Sequence, residues 1–381
     1  HIAVCAPTGK AAVRINYALR RAGATVEAGT VHSLLEIRRN GHDGQGWGFA
    51  RGPHNPLDVT FLVVEEASML DTQLCGCLLS ACAPGTHVLF VGDPHQLPPV
   101  GHGAPLRDLI AAGVPCGRLS EIRRNAGAIV RACADIKDGK DFKPDFEPNN
   151  AERNLQVIPV ETEARQLQEA CKLLGGLAVM ECQAIVGTNA GTLGRHNVNR
   201  ALRDVCNKEG SLLQAAGNPF WPGDKLICLR NGLYPTEDGR EAYIANGEIG
   251  TVDQVQPRYT LGRFFGPERL VRVPVIKKKA KEDNDEDGGA TGDGGDFDLG
   301  YAITCHKSQG SEWPVVVVLI DPSPGAKMVC GREWLYTAIS RASGLCVLVG
   351  RLGVAQMMTR RPSLHKRKTF LRELIRAQGT Q

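Results

Sequence analysis

One stretch limits the possible folds more than any other. Phe61-Leu62-Val63-Val64 is apolar throughout and runs directly into Glu65 and Glu66. A strand apolar on both faces has to be covered on both, the habit of parallel sheets flanked by helices. Two carboxylates are too costly to bury there unpaired, so they mark the point where the strand leaves the sheet. Residues 2–5 and 87–91 repeat the pattern, and each run is followed by a turn and a helix-compatible segment. The sequence predicts βαβ units, an α/β fold with ligands at the carboxyl ends of its strands.

The 381 residues leave room for two or three domains. A net charge of +4 permits nucleic-acid binding without demonstrating it. The last thirty residues are more biased: Arg351, Arg360, Arg361, Lys366, Arg367, Lys368, Arg372 and Arg376 oppose only Glu373. They read either as a solvated helix face or as a surface contacting a phosphate backbone. Thirteen cysteines, odd in number and without disulfide-like spacing, point to a reducing compartment. Cys75, Cys77 and Cys82 lack paired zinc-site spacing and read as small packing residues. No run approaches the roughly 20 apolar residues of a membrane-spanning helix.

The texture changes along the chain. Glycines at 41, 44, 46 and 48 around Trp47 and Phe49 predict a hairpin inserted at about 36–57 of a first domain, 1–124. A second α/β domain is expected over 125–217 and 299–381. Between them, 218–298 alternates short β-like runs with turn residues and reads as a small inserted β-barrel. Residues 277–298, three lysines, an acidic run and then Gly-Asp repeats, read as a solvated loop.

The chemistry gathers at strand ends. Glu65 can hold Mg²⁺ through water, and Glu66 can orient an attacking water. The next apolar run ends in Gly92-Asp93-Pro94-His95-Gln96. The uncharged amide of Gln96 suits the sensing of a γ-phosphate by hydrogen bonding.

Seven segments then fall in a familiar order: "APTGKAA" at 6–12, "TVHSLL" at 30–35, "VVEEASML" at 63–70, "GDPHQLPPV" at 92–100, "LSEIRRN" at 119–125, "YAITCHKSQGSEWPVVVV" at 301–318 and "REWLYTAISRA" at 332–342. They resemble motifs Ia to VI of superfamily 1 helicases. The "AITCHKSQGSE" wording, preceded by "NGEIGTV" at 246–252, is similar to the RecD-like branch.

The resemblance implies two RecA-like parallel-sheet motor domains, the small β-barrel inserted in the second. It implies an ATP- and Mg²⁺-dependent helicase or translocase, 5′-to-3′ on single-stranded DNA and at single-strand/duplex junctions, serving repair, recombination or replication. The setting would be the cytoplasm of a bacterial or phage-infected cell, with no membrane partner and with other recombination or replication proteins as partners. Arg124 and Arg341 would neutralise charge on the transferred phosphoryl group. Glu312 would contact the nucleotide, with Gly310 allowing close backbone approach. Pro7, Thr8, Lys10, His32 and Ser33 would contact the strand from the first domain, and Thr304, His306, Lys307 and Ser308 from the second. Trp47 and Phe49 would belong to a strand-separating pin. Two other readings stand beside this one: a strand-binding module without turnover, and the helicase segment of a larger relaxase or recombination assembly.

Two departures matter. The family carries a GxxxxGK[ST] loop whose amides cradle phosphates. The nearest approach is Gly9-Lys10, where Ala11 replaces Ser/Thr and Val4 stands at the first glycine. The loop is therefore expected upstream of His1. The first domain is accordingly expected to be truncated at its N-terminus and to leave apolar neighbours of a central strand unpaired. The segment alone is expected to be unstable, to bind ATP poorly and to turn over almost none. Second, Glu65 stands where the family usually has Asp, which shifts the carboxylate by about one methylene against a metal that demands tight geometry.

Overall fold

The computed structural model describes residues 1–39, 47–119, 127–144, 154–265, 267–275, 295–363, 367 and 369–378. The chain divides into two compact units, 1–120 with 363–381, and 121–362.

The first unit is built on a parallel sheet in the order β2-β1-β5-β6: β1 Ile2–Ala6, β2 Ala28–Thr30, β5 Phe61–Val64 and β6 His87–Phe90. β3 (Ile37–Arg39) and β4 (Trp47–Phe49) form the expected hairpin, whose tip lies outside the described residues. Its helices are α1 Gly9–Arg21, α2 Val31–Leu34, α3 Thr72–Ser80 and α4 Pro105–Ala112. Side-chain caps start three of them, with Thr8, Thr30 and Asp71 accepting from backbone N–H groups that the first turn leaves unsatisfied. One sheet face closes over a core of Cys5, Leu62, Val64, Leu70 and Leu78. Val88 and Phe90 of β6 pack against that core, while Leu89 is 47% exposed. The strand is apolar like an interior one, yet it ends the sheet.

The second unit carries a five-stranded parallel sheet in the order β16-β8-β17-β18-β7: β7 Leu155–Ile158, β8 Cys182–Val186, β16 Ala302–Thr304, β17 Trp313–Leu319 and β18 Ala342–Val349. Around it lie α5 Gly127–Lys137, α6 Glu163–Leu174, α7 Arg195–Cys206, α8 Cys305–Ser308, α9 Pro324–Val329, α10 Arg332–Ile339 and α11 Leu352–Thr359. The inserted segment is β9 Lys225–Cys228, β10 Gly232–Pro235, β11 Glu241–Ile244, β12 Ile249–Val255, β13 Tyr259–Phe264, β14 Arg269–Pro274 and β15 Phe297–Leu299.

The insert, expected as a small β-barrel, is all β in its described elements. Five of its strands form an antiparallel sheet, β14-β13-β12-β9-β15, and the β10-β11 hairpin meets β14 through a bridge between Thr236 and Val271. It is not a separate body. Leu226, Val252, Phe264 and Phe297 share one core with Ala184, Val186, Val317 and Val347 of the parallel sheet. Fully buried Lys225 donates to the carbonyls of Val179 and Cys182, both at 2.7 Å. Burial lowers its pKa to about 8. The loop expected through 298 ends sooner, because Phe297 and Asp298 are buried strand residues and Asp298 pairs with buried Arg195 at 2.6 Å.

The tail corrects a boundary. It was expected to close the second domain, but helix α12 (Leu371–Gln378) packs on α4 of the first unit. Thr369 donates to Asp108, Arg367 to the carbonyls of Gly101 and Gly103, and Arg376 to that of Ala111. The basic tail is thus neither wholly a solvated face nor a free phosphate surface. Arg360 pairs with Asp141, Arg351 with Glu161, and Arg361 donates to the carbonyls of Lys327 and Cys330. Lys366 and Lys368 lie outside the described residues.

Candidate functional site

In the first unit the acidic pair stands where the strand pattern predicts. The N–H of Glu65 donates to the Cys5 carbonyl at 2.9 Å, continuing the β1–β5 ladder by one residue. Glu66 then leaves it in a left-handed conformation, φ 51° and ψ 37°, which few residues other than glycine adopt. The turn is fixed from the neighbouring strand, because Val91 donates to Val64 at 2.8 Å and Ala67 donates to Val91 at 2.9 Å. Gly92 is needed at this crossing. A Cβ there would stand 2.9 Å from the Ser68 nitrogen and from Leu106 Cδ2, too close for either.

The electrostatics of Glu65 follow from this placement. Burial and then the neighbouring Glu66 raise its pKa, while a backbone hydrogen bond and Arg14 pull the other way. A carboxylate pair so placed is relieved by a cation, so the residues present fit Mg²⁺ in charge and donor type.

Gln96 follows on the adjacent strand end. Asp93 shapes the loop by accepting from the His95 N–H at 2.9 Å and the Gln96 N–H at 3.2 Å. The Oε1 of Gln96 is buried and has no hydrogen-bond partner among the described residues. An unpaired buried carbonyl oxygen costs about 1–3 kcal/mol. Glu65, Glu66 and Gln96 therefore gather on neighbouring loops at the carboxyl edge of one sheet.

Arg341 departs from expectation. It is 1% exposed, and its guanidinium is turned into the second unit, where Nε donates to the Thr337 carbonyl, Nη1 to that of Ser311 and Nη2 to Ser340 Oγ. Arg124 lies outside the described residues. Glu312 is exposed. Gly310 has φ 74°, and a Cβ there would meet nothing within 4 Å. Its glycine suits the left-handed backbone conformation.

The expected strand contacts divide as sharply. Pro7 and Thr8 are half-buried, and the Thr8 hydroxyl caps α1. The Lys10 ammonium is buried instead of displayed. His32 and Ser33 are exposed, and Ser33 Oγ donates to the Thr30 carbonyl at 2.8 Å. In the second unit Thr304, His306 and Lys307 are half-buried around α8. Ser308 is fully buried, with its hydroxyl donating to the Cys305 carbonyl at 2.7 Å. Phe49 packs against the first core and beside His32, ring centroids 5.9 Å apart. Trp47 pairs with Arg39 in β3–β4, and its side chain lies outside the described residues.

The chain was compared with known proteins. Residues 1–149 match a family model described as an AAA domain, and 299–349 match one described as a UvrD-like helicase C-terminal domain. An ATP-dependent RecD2 DNA helicase of Deinococcus radiodurans is 30% identical over 380 residues, covering 99% of this chain and 46% of that protein. A RecBCD enzyme subunit RecD of Mycobacterium tuberculosis is 30% identical over 402 residues, covering 96% of this chain and 64% of that protein. Along nearly its whole length the chain is similar to RecD-like helicases of superfamily 1. A solved Pif1 helicase from Bacteroides, in complex with ADP-AlF3 and ssDNA, is 16% identical with a TM-score of 0.47, covering all of this chain and 88% of that one. The chain spans about half to two thirds of the length of the curated RecD relatives named here.

Motif reading missed three residues of this RecD-like chain. Asn199 of α7 is buried and clasps Ala302 of β16 twice, its Nδ2 donating to the carbonyl at 2.9 Å and its Oδ1 accepting from the N–H at 2.8 Å. It thereby fixes the strand that delivers α8. Gln183 does the same for the preceding turn, donating to the carbonyls of Gly300 and Tyr301. Asn246 accepts a hydrogen bond from Lys307 at 2.6 Å. A buried amide on an apolar helix face was the one available signal, and it pointed to Asn199 alone.

Proposed function

We propose that the protein of which this chain is part is an ATP-driven translocase that moves 5′ to 3′ on single-stranded DNA and opens duplexes. The observation that supports the reading is that the parallel neighbours β5 and β6 bring Glu65 and Glu66, and the loop bearing the unpaired Gln96 oxygen, out at the same edge of one sheet. Glu65 would hold Mg²⁺ through water, and Glu66 would accept a proton from, and aim, an attacking water. Gln96 Oε1 would accept from that water, and the amide would register a γ-phosphate without adding charge. Bound Mg²⁺ supplies neutralisation of the phosphate charge. Arg124 and Arg341 would act on the same phosphates, Arg341 after leaving its internal partners. His32, His306 and Lys307 would touch the DNA backbone, giving binding that tolerates sequence and weakens with salt. The setting is cytoplasmic, and the partners include junction DNA and other recombination or replication proteins.

A second reading, a strand-binding module without turnover, is favoured by the commitment of all three Arg341 nitrogens inside the second unit. One experiment separates the two: ATP hydrolysis by the longer protein with and without oligothymidylate, beside a Glu66→Gln variant. DNA-stimulated turnover that falls at least about a hundredfold in the variant, with DNA binding kept, supports the translocase. Binding without turnover in the parent protein supports the module.

A further inference from the structure

We infer that Asn246 is a positioning residue for Lys307, so that the inserted sheet sets where a strand-contacting ammonium points. The inference rests on the reading that Lys307 meets the nucleic-acid backbone.

A lysine ammonium rides on a flexible four-carbon stem and has three rotatable donors, so by itself it has no fixed place. Here its Nζ donates to Asn246 Oδ1 at 2.6 Å, across 61 residues of sequence. Asn246 is itself held. Its N–H donates to Asn231 Oδ1 at 2.8 Å, and the following Gly247 turns back with φ 87°, donating to the Cys228 carbonyl at 2.8 Å. Ala245, just before it, is fully buried and donates to Glu248 Oε1 at 2.6 Å. The other oxygen of Glu248 pairs with Arg269 at 2.6 Å, and Arg269 also donates to the Tyr243 carbonyl. The turn is thus braced from β9, β11 and β14, and the insert shares its core with the sheet that carries α8.

The chemistry of the holder matters as much as its place. An amide oxygen accepts from an ammonium and leaves the positive charge in force for a phosphate. A carboxylate there would hold the lysine equally well and cancel its charge. Asparagine is the side chain that orients Lys307 without neutralising it.

The test is binding of fluorescent oligothymidylate by the full chain across a salt series, with thermal melts as a folding control. Lys307→Ala should weaken binding and flatten the dependence of log K on log salt by about 0.7, one phosphate contact on a single strand. Asn246→Ala keeps the charge, so it should weaken binding about twofold to tenfold, the net worth of one ordinary hydrogen bond, with the slope unchanged. Asn246→Asp should flatten the slope as Lys307→Ala does, and it remains informative where the alanine variant folds poorly. The double variant Asn246→Ala/Lys307→Ala should bind like Lys307→Ala alone. Additive losses in the double variant, or an Asn246→Ala chain that binds as the parent does, overturn the positioning role while leaving the strand contact standing. A Lys307→Ala chain that binds with unchanged slope removes the strand contact itself, and the inference with it.

Discussion

In the second unit, β8 is buried at all five positions and β17 at its last four, whereas β6 of the first unit alternates exposed and half-buried residues and ends its sheet. All three strands are apolar runs of similar sequence. The second sheet is closed on one face by a core that it shares with the insert, through Leu226, Val252 and Phe297. In the first sheet Phe61 and Leu89 stay 38% and 47% exposed among the described residues. An apolar strand thus declares its need for cover, but what covers it is decided by another part of the chain.

The comparison can be broken most easily at Leu226. It lies on the insert yet is fully buried in the second unit's core, so Leu226→Ala should cost about 2–5 kcal/mol. Three of the four tryptophans, Trp221, Trp313 and Trp334, lie in that unit, so intrinsic fluorescence during urea unfolding follows it. Hydrogen exchange should show β8 and β9 losing protection together. An insert that opens while β8 stays protected would sever the shared core.

Asn199 comes next. Replacing it with alanine strips both partners from the backbone of Ala302 and should cost about 2 kcal/mol, with faster amide exchange confined to β16 and α8. Exchange spread evenly over the unit would mean that Asn199 does not hold that strand in particular.

Glu65 sharpens the contrast from the first unit. Its pKa is raised in the fold, chiefly by burial, so the ionised form is the penalised one. Its cost is absent below the ordinary glutamate range and grows as pH rises through the raised value. Glu65→Gln should therefore melt above the parent at neutral pH, and the two should converge in acid. A difference that widens as pH falls would reverse the assigned cause.

The smallest effect is expected at β6. Leu89→Thr exchanges an exposed apolar side chain for a β-branched polar one and should change stability by no more than about 0.5 kcal/mol, with better solubility. A loss comparable to that of Leu226→Ala would show that β6 is covered after all.

The sequence was enough to place Glu65, Glu66 and the loop of Gln96 after the ends of two apolar runs, because a parallel sheet delivers such ends to one edge. It could not tell that Arg341 turns inward or that the Ser308 hydroxyl is spent on Cys305, since both depend on carbonyls supplied by a helix turn and a distant loop. Phe49 shows the same limit. The glycine-rich pattern around it predicts a hairpin, and only the tertiary structure shows its ring packed beside His32 and against the first core. The basic tail suggested a phosphate surface until Arg367 and Arg376 were seen spent on carbonyls of the first unit.

The sequence by itself determined the α/β class, the order of the motifs and the loops that carry carboxylates and amides, because strand period and chain direction are local properties. Tertiary structure alone decided which donors are already engaged, that the insert shares its neighbour's core, and that the tail returns to the first unit. Those outcomes depend on hydrogen bonds and packing between residues tens to hundreds of positions apart, and no local pattern encodes such pairings.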